Sequence, residues 1–294
     1  MDTERPSPRY SDIDLWEPLD ILDAMIEGQF AAVAAVRAAR RALMQAALAM
    51  EGRLRGGGKL VYAGAGTSGR LSAQDGAELL PTFSWPADRL VLLVAGGDKA
   101  MLSAVEGAED EAEQGSRLVR DHAIGARDVL IAVAASGTTP FTLSCLREAR
   151  ARGALTIGIA NNPGTPILTE AEHPIFLETG PEPIAGSTRM NAGTAQRIAL
   201  SLLSSLAMIR LGRVYAGLMV EVQASNAKLA QRQEKMLMQL TGRDPADVRN
   251  ALKSAGGSVK LAMLLLRGCE IADARDALNR AEGRLREAMA MISK

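Results

Sequence analysis

The chain has 294 residues, of which 47% are hydrophobic, and its 34 basic side chains balance 34 acidic ones. The length allows one large domain, or a main domain with an appendage. A net charge of zero argues against a general nucleic-acid binder, and an aromatic content of 3% argues against base-stacking surfaces.

No membrane partner is expected, because no apolar run reaches membrane-spanning length and the first residues carry no apolar signal core. Cys145 and Cys269 lie far apart in apolar, helix-like stretches. They form neither a disulfide framework nor a zinc-binding spacing, so two buried free thiols are expected. The chain is therefore predicted to be cytoplasmic.

The first two thirds of the chain alternate between short apolar runs and helical patterns. Residues 1–15 are polar and predict an extended arm, and the Ala-rich residues 19–54 predict one or two helices. Apolar runs joined by helical segments, one of them through 99–119, predict parallel strands with right-handed crossovers and helices on both faces. The predicted strands are 59–63, 90–95, 128–134, 155–160 and 174–177.

The last third of the chain is predicted to be helical. A long apolar helix is expected over 188–211, and helix continues over 216–240. The predicted fold class is α/β, a doubly wound three-layer αβα sandwich with a parallel sheet, plus a small C-terminal helical module. The module's short amphipathic helices are predicted at 245–255, 258–267 and 273–292. The predicted regions are an arm and helix at 1–40, the α/β domain at 41–215 and a helical region at 216–294.

Three loops combine glycine with Ser and Thr where predicted elements meet. Open parallel sheets bind ligands beyond the C-terminal ends of their strands. Hydroxyl groups and the free N–H groups of a following helix favour an anion, so a phosphorylated sugar suits these loops. A plain tight turn or an N-cap explains each loop taken alone. The loops are 64–70 with Thr67 and Ser68, 135–140 with Ser136, Thr138 and Thr139, and 186–189 with Ser187.

Acidic side chains follow two of the predicted strands on the same side. Asp75 and Glu78 lie one helical turn apart and are predicted to share a face, and Glu109 lies in the segment AVEGAED. Most helical carboxylates are solvated, but one beside a bound sugar can act as an acid or a base. The sequence suggests no Ser-His-Asp arrangement and no metal cluster.

The loop motifs GAGTSGRL, ASGTTP and GSTR together resemble a sugar isomerase (SIS) domain. TER near the start, DGAELLPTF, AVEGAED, IGIANNPGTP and GLMVEVQASNAKL follow the order of a larger pattern. With them, nearly the whole chain resembles the N-acetylmuramic acid 6-phosphate etherase family. Several motifs in the correct order are more specific than any single loop.

This resemblance implies cleavage of the ether between sugar C3 and a D-lactyl group, in cell-wall amino-sugar recycling and without a metal or organic cofactor. The family's catalytic glutamates fall on Glu78, the implied acid for departing lactate, and on Glu109, which is implied to move the C2 proton. Members commonly pair, so a homodimer is expected, with part of the site completed by the second subunit. The phosphate is implied to contact Ser136, Thr138 and Thr139, with Thr67, Ser68 and Ser187 nearby.

The chain departs from the family pattern at several positions. The family often has SGRTP where this chain has Thr138, Lys where it has Asn191, and DASECPPT where it has DGAELLPT. Fewer cations near the phosphate would weaken binding or alter substrate choice. Two other functions remain open: a non-catalytic sensor resembling the glucokinase regulatory protein, and an aldose–ketose isomerase. The AVEGAED and GLMVEVQASNAKL segments favour the etherase.

Overall fold

The computed structural model describes residues 1–222, 224 and 226–292. At its centre is a sheet of five parallel strands in the order β2-β1-β3-β4-β5. The predicted strands are confirmed within one residue at either end. They are β1 (Leu60–Gly64), β2 (Leu90–Val94), β3 (Val129–Val133), β4 (Leu155–Ala160) and β5 (His173–Phe176).

Helices follow β1, β2, β3 and β4 before the next strand begins. Because crossovers between parallel strands are right-handed as a rule, the reversal of direction at β1 places α3 on one face and the next helices on the other. The predicted doubly wound fold is therefore confirmed. The helices of this part are α1 (Pro18–Ala38), α2 (Arg40–Arg55), α3 (Gly66–Phe83), α4 (Ala112–Asp121), α5 (Pro140–Ala151), α6 (Pro166–Glu170) and α7 (Asn191–Arg210).

Successive side chains along each strand point to opposite faces of the sheet, so every strand contributes residues to both faces. Ala63, Leu130 and Ala132 pack in one core with the α5 residues Phe141 and Leu146. All residues of β1, β3 and β4 are buried, which is why these strands appear in the sequence as unbroken apolar runs.

Two predicted elements in this part were wrong. The helix predicted over 99–119 is instead two short 3₁₀ turns, Gly97–Met101 and Ala108–Asp110, followed by α4. Gly107 has a φ of 73°, which interrupts helical backbone directly before the second turn. The predicted extended arm at 1–15 contains three 3₁₀ turns, at Asp2–Glu4, Pro8–Tyr10 and Ile13–Leu15.

The described residues after α7 form a small β-hairpin and five helices. The helix predicted over 216–240 begins only at Ala227, and Gln223 and Ser225 of the motif at 217–229 lie outside the described residues. The helix predicted over 273–292 is two helices, because Glu282 and Gly283 both have positive φ. The elements are β6 (Val214–Tyr215), β7 (Leu218–Met219), α8 (Ala227–Thr241), α9 (Pro245–Ser254), α10 (Val259–Leu265), α11 (Ile271–Arg280) and α12 (Leu285–Ile292).

The chain forms two compact units. The first comprises Met1–Ala77 and Ala87–Leu206, and the second comprises Glu78–Pro86 and the residues from Ala207 onward. The second unit has its own apolar core, which includes Leu237, Val248 and Leu261. The division at residues 40 and 215 stays a prediction, because compactness alone does not show which segments fold independently.

One described helix, α7, is long and apolar enough to cross a membrane by length and composition alone. This differs from the expectation that no apolar run reaches that length. Within the helix, 56% of the apolar window is buried, as in the core helix of a soluble protein.

Candidate functional site

A cavity of about 410 Å³ opens at the C-terminal ends of β1 and β3, and all of its lining belongs to the first unit. This is the edge at which parallel sheets bind ligands. Its lining is rich in hydroxyl groups and carboxylates. The polar side chains that line it are those of Glu4, Thr67, Ser68, Glu109, Asp110, Ser136, Thr138, Thr139 and Thr188.

The first loop joins β1 to α3 through a close backbone approach. A Cβ atom on Gly64 would lie 2.8 Å from the Gly69 nitrogen, and one on Gly69 would lie 2.7 Å from the Gly64 oxygen. Only glycine fits at both positions, so the turn brings Thr67 to the cavity. Ser68 is buried, and its Oγ donates a hydrogen bond to Gln196 Oε1 at 2.9 Å.

The second loop joins β3 to α5 and is organised by its own hydroxyls. The Thr138 backbone N–H donates to Ser136 Oγ at 3.2 Å, and that oxygen lies 3.3 Å from Thr139 Oγ1. Thr139 occupies the N-cap of α5 without a side-chain cap hydrogen bond, and Pro140 follows as the first helical residue. The N–H groups at the start of α5, which have no partner within the helix, and three hydroxyls therefore meet at one place, which suits an anion.

The third loop contributes Thr188 to the cavity. Ser187 is half-buried and is not part of the lining formed by the described residues. Its backbone N–H donates to the Ile184 carbonyl at 2.9 Å, and its carbonyl accepts from the Met190 N–H at 3.1 Å. A ligand role for the Ser187 hydroxyl stays a prediction.

Buried amide side chains hold these loops from behind. Gln196 Nε2 donates to Asn161 Oδ1 at 2.9 Å, which extends the contact made by Ser68. Asn162 Nδ2 donates to the Ala135 carbonyl at 2.8 Å, so it supports the second loop. The sequence interpretation missed these three amides, although Asn161 and Asn162 lie inside the IGIANNPGTP motif. Buried amides cost free energy unless they are paired, and that cost marks them as structural parts of the site.

Three carboxylates and no Lys or Arg occur among the described residues that line the cavity. Glu109 and Asp110 lie on the 3₁₀ turn after Gly107. Glu109 also lines an adjoining cavity of about 230 Å³, together with Arg70. Glu4 comes from the N-terminal segment, far away in sequence, and no sequence signal other than the TER motif pointed to it.

Asp75 and Glu78 do not share an environment, although they are one turn apart on α3. Asp75 is 5% exposed, accepts a hydrogen bond from Tyr62 Oη at 2.8 Å and lies 3.8 Å from Arg197. Burial, and then the Asp75 charge, raise the pKa of Tyr62 well above its ordinary value. Glu78 is exposed and lies at the start of the second unit. Asp75 is therefore a structural carboxylate, while the predicted role of Glu78 stays a prediction.

Asn191, where the family often has Lys, contacts α1. Its Oδ1 accepts a hydrogen bond from Gln29 Nε2 at 3.2 Å, and a Cβ atom on Gly28 would lie 2.5 Å from the same oxygen. The backbone N–H groups of Asn191 and Ala192 donate to the buried Glu182 at 2.8 and 2.9 Å. Burial raises the pKa of Glu182, although these two hydrogen bonds oppose the shift.

Comparison with known proteins adds relatives over most of the chain. The model of the glucokinase regulatory protein N-terminal SIS domain matches residues 42–150, and the SIS domain model matches 110–206. Among solved structures, a phosphoheptose isomerase from Francisella tularensis aligns with 66% of this chain and 98% of its own, at 23% identity and a TM-score of 0.49.

Curated relatives cover more of the chain at higher identity. An N-acetylmuramic acid 6-phosphate etherase from Deinococcus radiodurans is 52% identical over 90% of this chain and 87% of its own. The etherase from Rubrobacter xylanophilus is 42% identical over 90% of this chain and 88% of its own. The etherase from Symbiobacterium thermophilum is 49% identical over 73% of this chain and 71% of its own. The chain therefore belongs to the N-acetylmuramic acid 6-phosphate etherase family.

Proposed function

We propose that this protein is an N-acetylmuramic acid 6-phosphate etherase that releases D-lactate and leaves N-acetylglucosamine 6-phosphate. The observation that carries the proposal is one cavity at the sheet edge that combines anion-binding hydroxyl loops with the carboxylate of Glu109. The relatives' shared activity supports the same reaction. The N–H groups at the start of α5 and the hydroxyls of Ser136, Thr138 and Thr139 bind the phosphate in this proposal.

The chemistry requires one base and one acid. The open-chain sugar is an aldehyde, which acidifies the proton on C2. The Glu109 carboxylate removes that proton, the C3–O bond breaks, and the lactate oxygen takes a proton from Glu78. Water then adds at C3, losing a proton to Glu78, while C2 regains its proton from Glu109. Atoms balance, and both glutamates return to their starting protonation states.

The direct test adds N-acetylmuramic acid 6-phosphate and measures released D-lactate. Glu109→Gln keeps the size of the side chain but removes the base, so turnover falls by about 10²- to 10⁴-fold. Glu113→Gln is the matched control, because Glu113 is an exposed carboxylate on the next helix. A folded wild-type protein that binds the sugar phosphate without releasing lactate contradicts the etherase and favours the sensor.

Glu78 is tested separately from Glu109. As the proposed acid, Glu78→Gln lowers turnover while affinity for the sugar phosphate changes little. Unchanged turnover contradicts this role. An isomerase would instead interconvert an aldose phosphate and a ketose phosphate without releasing D-lactate, so the same lactate assay separates the two reactions.

We further propose that the protein is a homodimer, and an apolar stripe on α1 supports this. Spacings of three and four residues place five apolar side chains along one side of α1, and each is at least half exposed. A stripe of this period is typical of helices that pack against another helix. The α1 stripe consists of Leu19 (68% exposed), Leu22 (56%), Ile26 (50%), Phe30 (69%) and Val33 (51%).

The charges on α1 favour a second copy in antiparallel orientation. Asp20, Asp23 and Glu27 lie in its first half, while Arg37 and Arg40 lie at its end and just beyond. Two α1 helices related by a two-fold axis would place the acidic half of each beside the basic end of the other. A parallel pair would place like charges together.

The oligomeric state is measured by light scattering on a size-exclusion column. The wild type is expected at twice the chain mass of 31.1 kDa. Phe30→Glu places a charge in the stripe and shifts the protein to monomer, whereas Leu102→Glu, at a 97% exposed residue outside the stripe, does not. A monomeric wild type, or a Phe30→Glu variant that stays dimeric, contradicts the proposed interface.

Mixed subunits test whether the second copy completes the site, as the family resemblance implies. Glu78→Gln and Glu109→Gln subunits are unfolded together and refolded as mixed dimers. If each active site takes Glu78 from one copy and Glu109 from the other, the mixed dimer regains activity, because one of its two active sites then holds both glutamates. A site built within one chain stays inactive in every combination.

The predicted cytoplasmic location also stays a proposal, and it fits a charged phosphate ester that does not cross a bilayer unaided.

A further inference from the structure

The N-terminal segment is built into the cavity wall. Thr3 is fully buried, and its backbone N–H donates to Asn162 Oδ1 at 3.4 Å. Asn162 Nδ2 donates back to Thr3 Oγ1 at 2.9 Å, and the Gly186 N–H donates to the Thr3 carbonyl at 3.0 Å. Asn162 also supports the second loop through Ala135. Residues 2–5 are therefore tied to the loops that follow β3 and β4 and to the third loop.

This anchoring brings the carboxylate of Glu4 to the cavity. Glu4 is part of the lining, together with Thr67, Ser68 and Thr188. A Cβ atom on Gly186 would lie 2.8 Å from Glu4 Oε2, and Gly186 has a φ of 77°. Glycine at 186 thus leaves the space that the Glu4 carboxylate occupies. The Glu4 side chain keeps an exposed side, as a group that meets a ligand must.

The chemistry of a carboxylate decides which part of a ligand it can bind. An ionised carboxylate accepts hydrogen bonds and donates none, so it repels a phosphate and attracts hydroxyl groups. The anion donors of the cavity are concentrated in the loop at 135–139 and at the start of α5. Glu4 approaches instead from the third loop. The cavity therefore combines an anion-binding loop with a separate acceptor on another loop.

We propose that Glu4 is a substrate-binding residue that accepts a hydrogen bond from a sugar hydroxyl of the bound sugar phosphate, and that the Thr3 contacts hold it there. This rests on the proposed function in one respect only, namely that the cavity binds a sugar phosphate. It assigns a role to the N-terminal segment that the loop motifs alone did not supply.

The test measures binding by calorimetry on the full chain, with N-acetylglucosamine 6-phosphate and inorganic phosphate as probes. Removing a hydrogen bond to a charged acceptor in Glu4→Ala weakens sugar phosphate binding by about ten- to a hundredfold. Inorganic phosphate affinity does not fall, because the donors of the second loop are untouched and a carboxylate that repels the phosphate is removed. Glu4→Gln, which keeps one acceptor oxygen, lies between the wild type and Glu4→Ala. Glu17→Gln is the control, since Glu17 is exposed in the turn before α1.

The outcomes separate this proposal from the etherase proposal. Wild-type sugar phosphate affinity in Glu4→Ala overturns the role of Glu4, and so does an equal loss of affinity for both probes. If the wild type binds the sugar phosphate but releases no D-lactate, the etherase fails while the Glu4 comparison remains valid. A wild type that binds no sugar phosphate overturns both. Thermal unfolding of each variant checks that Glu4→Ala is folded, and Thr3→Val, which removes one anchoring hydroxyl, is expected to weaken sugar phosphate binding in the same direction.

Discussion

Replacing Tyr62 by Phe removes one oxygen atom from the core and tests whether Asp75 is structural. Tyr62 is 1% exposed and Asp75 5% exposed, and the 2.8 Å hydrogen bond between them joins β1 to α3. A hydrogen bond to a charged acceptor contributes about 1.5–3 kcal/mol. Asp75 keeps its contacts with Ser204 at 3.3 Å and Arg197 at 3.8 Å, so its charge is not left uncompensated. We expect Tyr62→Phe to lower the free energy of unfolding by about 2 kcal/mol.

The pH dependence of this loss follows from the pKa of Tyr62. Burial and the Asp75 charge raise that pKa well above the ordinary value of 10.0. A group whose pKa is raised by folding stabilises the folded protein fully at pH values below its pKa in the unfolded chain. This stabilisation is lost as the pH rises through its pKa in the folded protein. The difference in stability between wild type and Tyr62→Phe should therefore be constant around neutral pH. It should shrink only when the pH rises beyond the ordinary tyrosine range.

Urea unfolding followed by far-ultraviolet circular dichroism measures the loss, and the lactate assay measures turnover of the same variant. Tyr10→Phe is the matched control, because Tyr10 is only half-buried, whereas Tyr62 is 1% exposed. Adding Ser204→Ala to Tyr62→Phe gives a double-mutant cycle, and the two losses should not add, since both side chains bond to Asp75. A loss below about 0.5 kcal/mol would refute the reasoning, and so would a loss of turnover in a fully stable variant.

Three further predictions concern single buried groups. Thr142→Val should raise stability by about 1 kcal/mol in thermal unfolding, because the Thr142 hydroxyl is buried and has no hydrogen-bond partner among the described residues; an unchanged or lower melting temperature would argue against this. Burial raises the pKa of Glu182, so the stabilisation that this shift gives the folded protein is full below pH 4.5 and is lost as the pH rises through the raised pKa. The stability of the wild type relative to Glu182→Gln should therefore increase as the pH falls from about 7 to about 5. Urea unfolding midpoints of both proteins measure this difference. Cys145, whose pKa burial raises to about 12, should resist alkylation in the folded protein at about pH 8 and react only after unfolding, as mass spectrometry would detect.

The five strands could be predicted because their burial is local information. Runs such as 129–133 are apolar at every position, which is typical of a strand covered on both faces. The helix predicted over 99–119 was wrong because the structure of this segment depends on the backbone conformation of a glycine and not on its composition. The acidic and Ala-rich segment there has good helical composition, but Gly107 adopts a positive φ, and composition does not reveal backbone conformation.

The hydroxyl loops of the site could also be predicted, because the rule that ligands bind at the C-terminal ends of parallel strands converts strand positions into loop positions. Glu4 and its support could not. The contact between Thr3 and Asn162 joins residues 159 positions apart, and no local pattern encodes such a pairing. Ser68 shows the same limit: its hydroxyl donates to Gln196, 128 positions away, which no local pattern encodes, while its predicted ligand contact stays a prediction.

The departures at Thr138 and Asn191 lie in different surroundings and have different consequences. Asn191 is 2% exposed and bonded to Gln29 of α1, and it is absent from the described cavity lining. Its change from the family's frequent Lys therefore alters how α1 packs on α7. Thr138 does line the cavity, among described residues that include no Lys or Arg. With a hydroxyl in place of the family's frequent Arg, the proposed phosphate site has only neutral donors, namely the Ser136 and Thr139 hydroxyls and the N–H groups at the start of α5. Because acidic side chains line the same cavity, we expect the positions of these donors to contribute more to phosphate binding than net charge does. Of the two departures, we therefore expect Thr138 to be the one that affects substrate affinity.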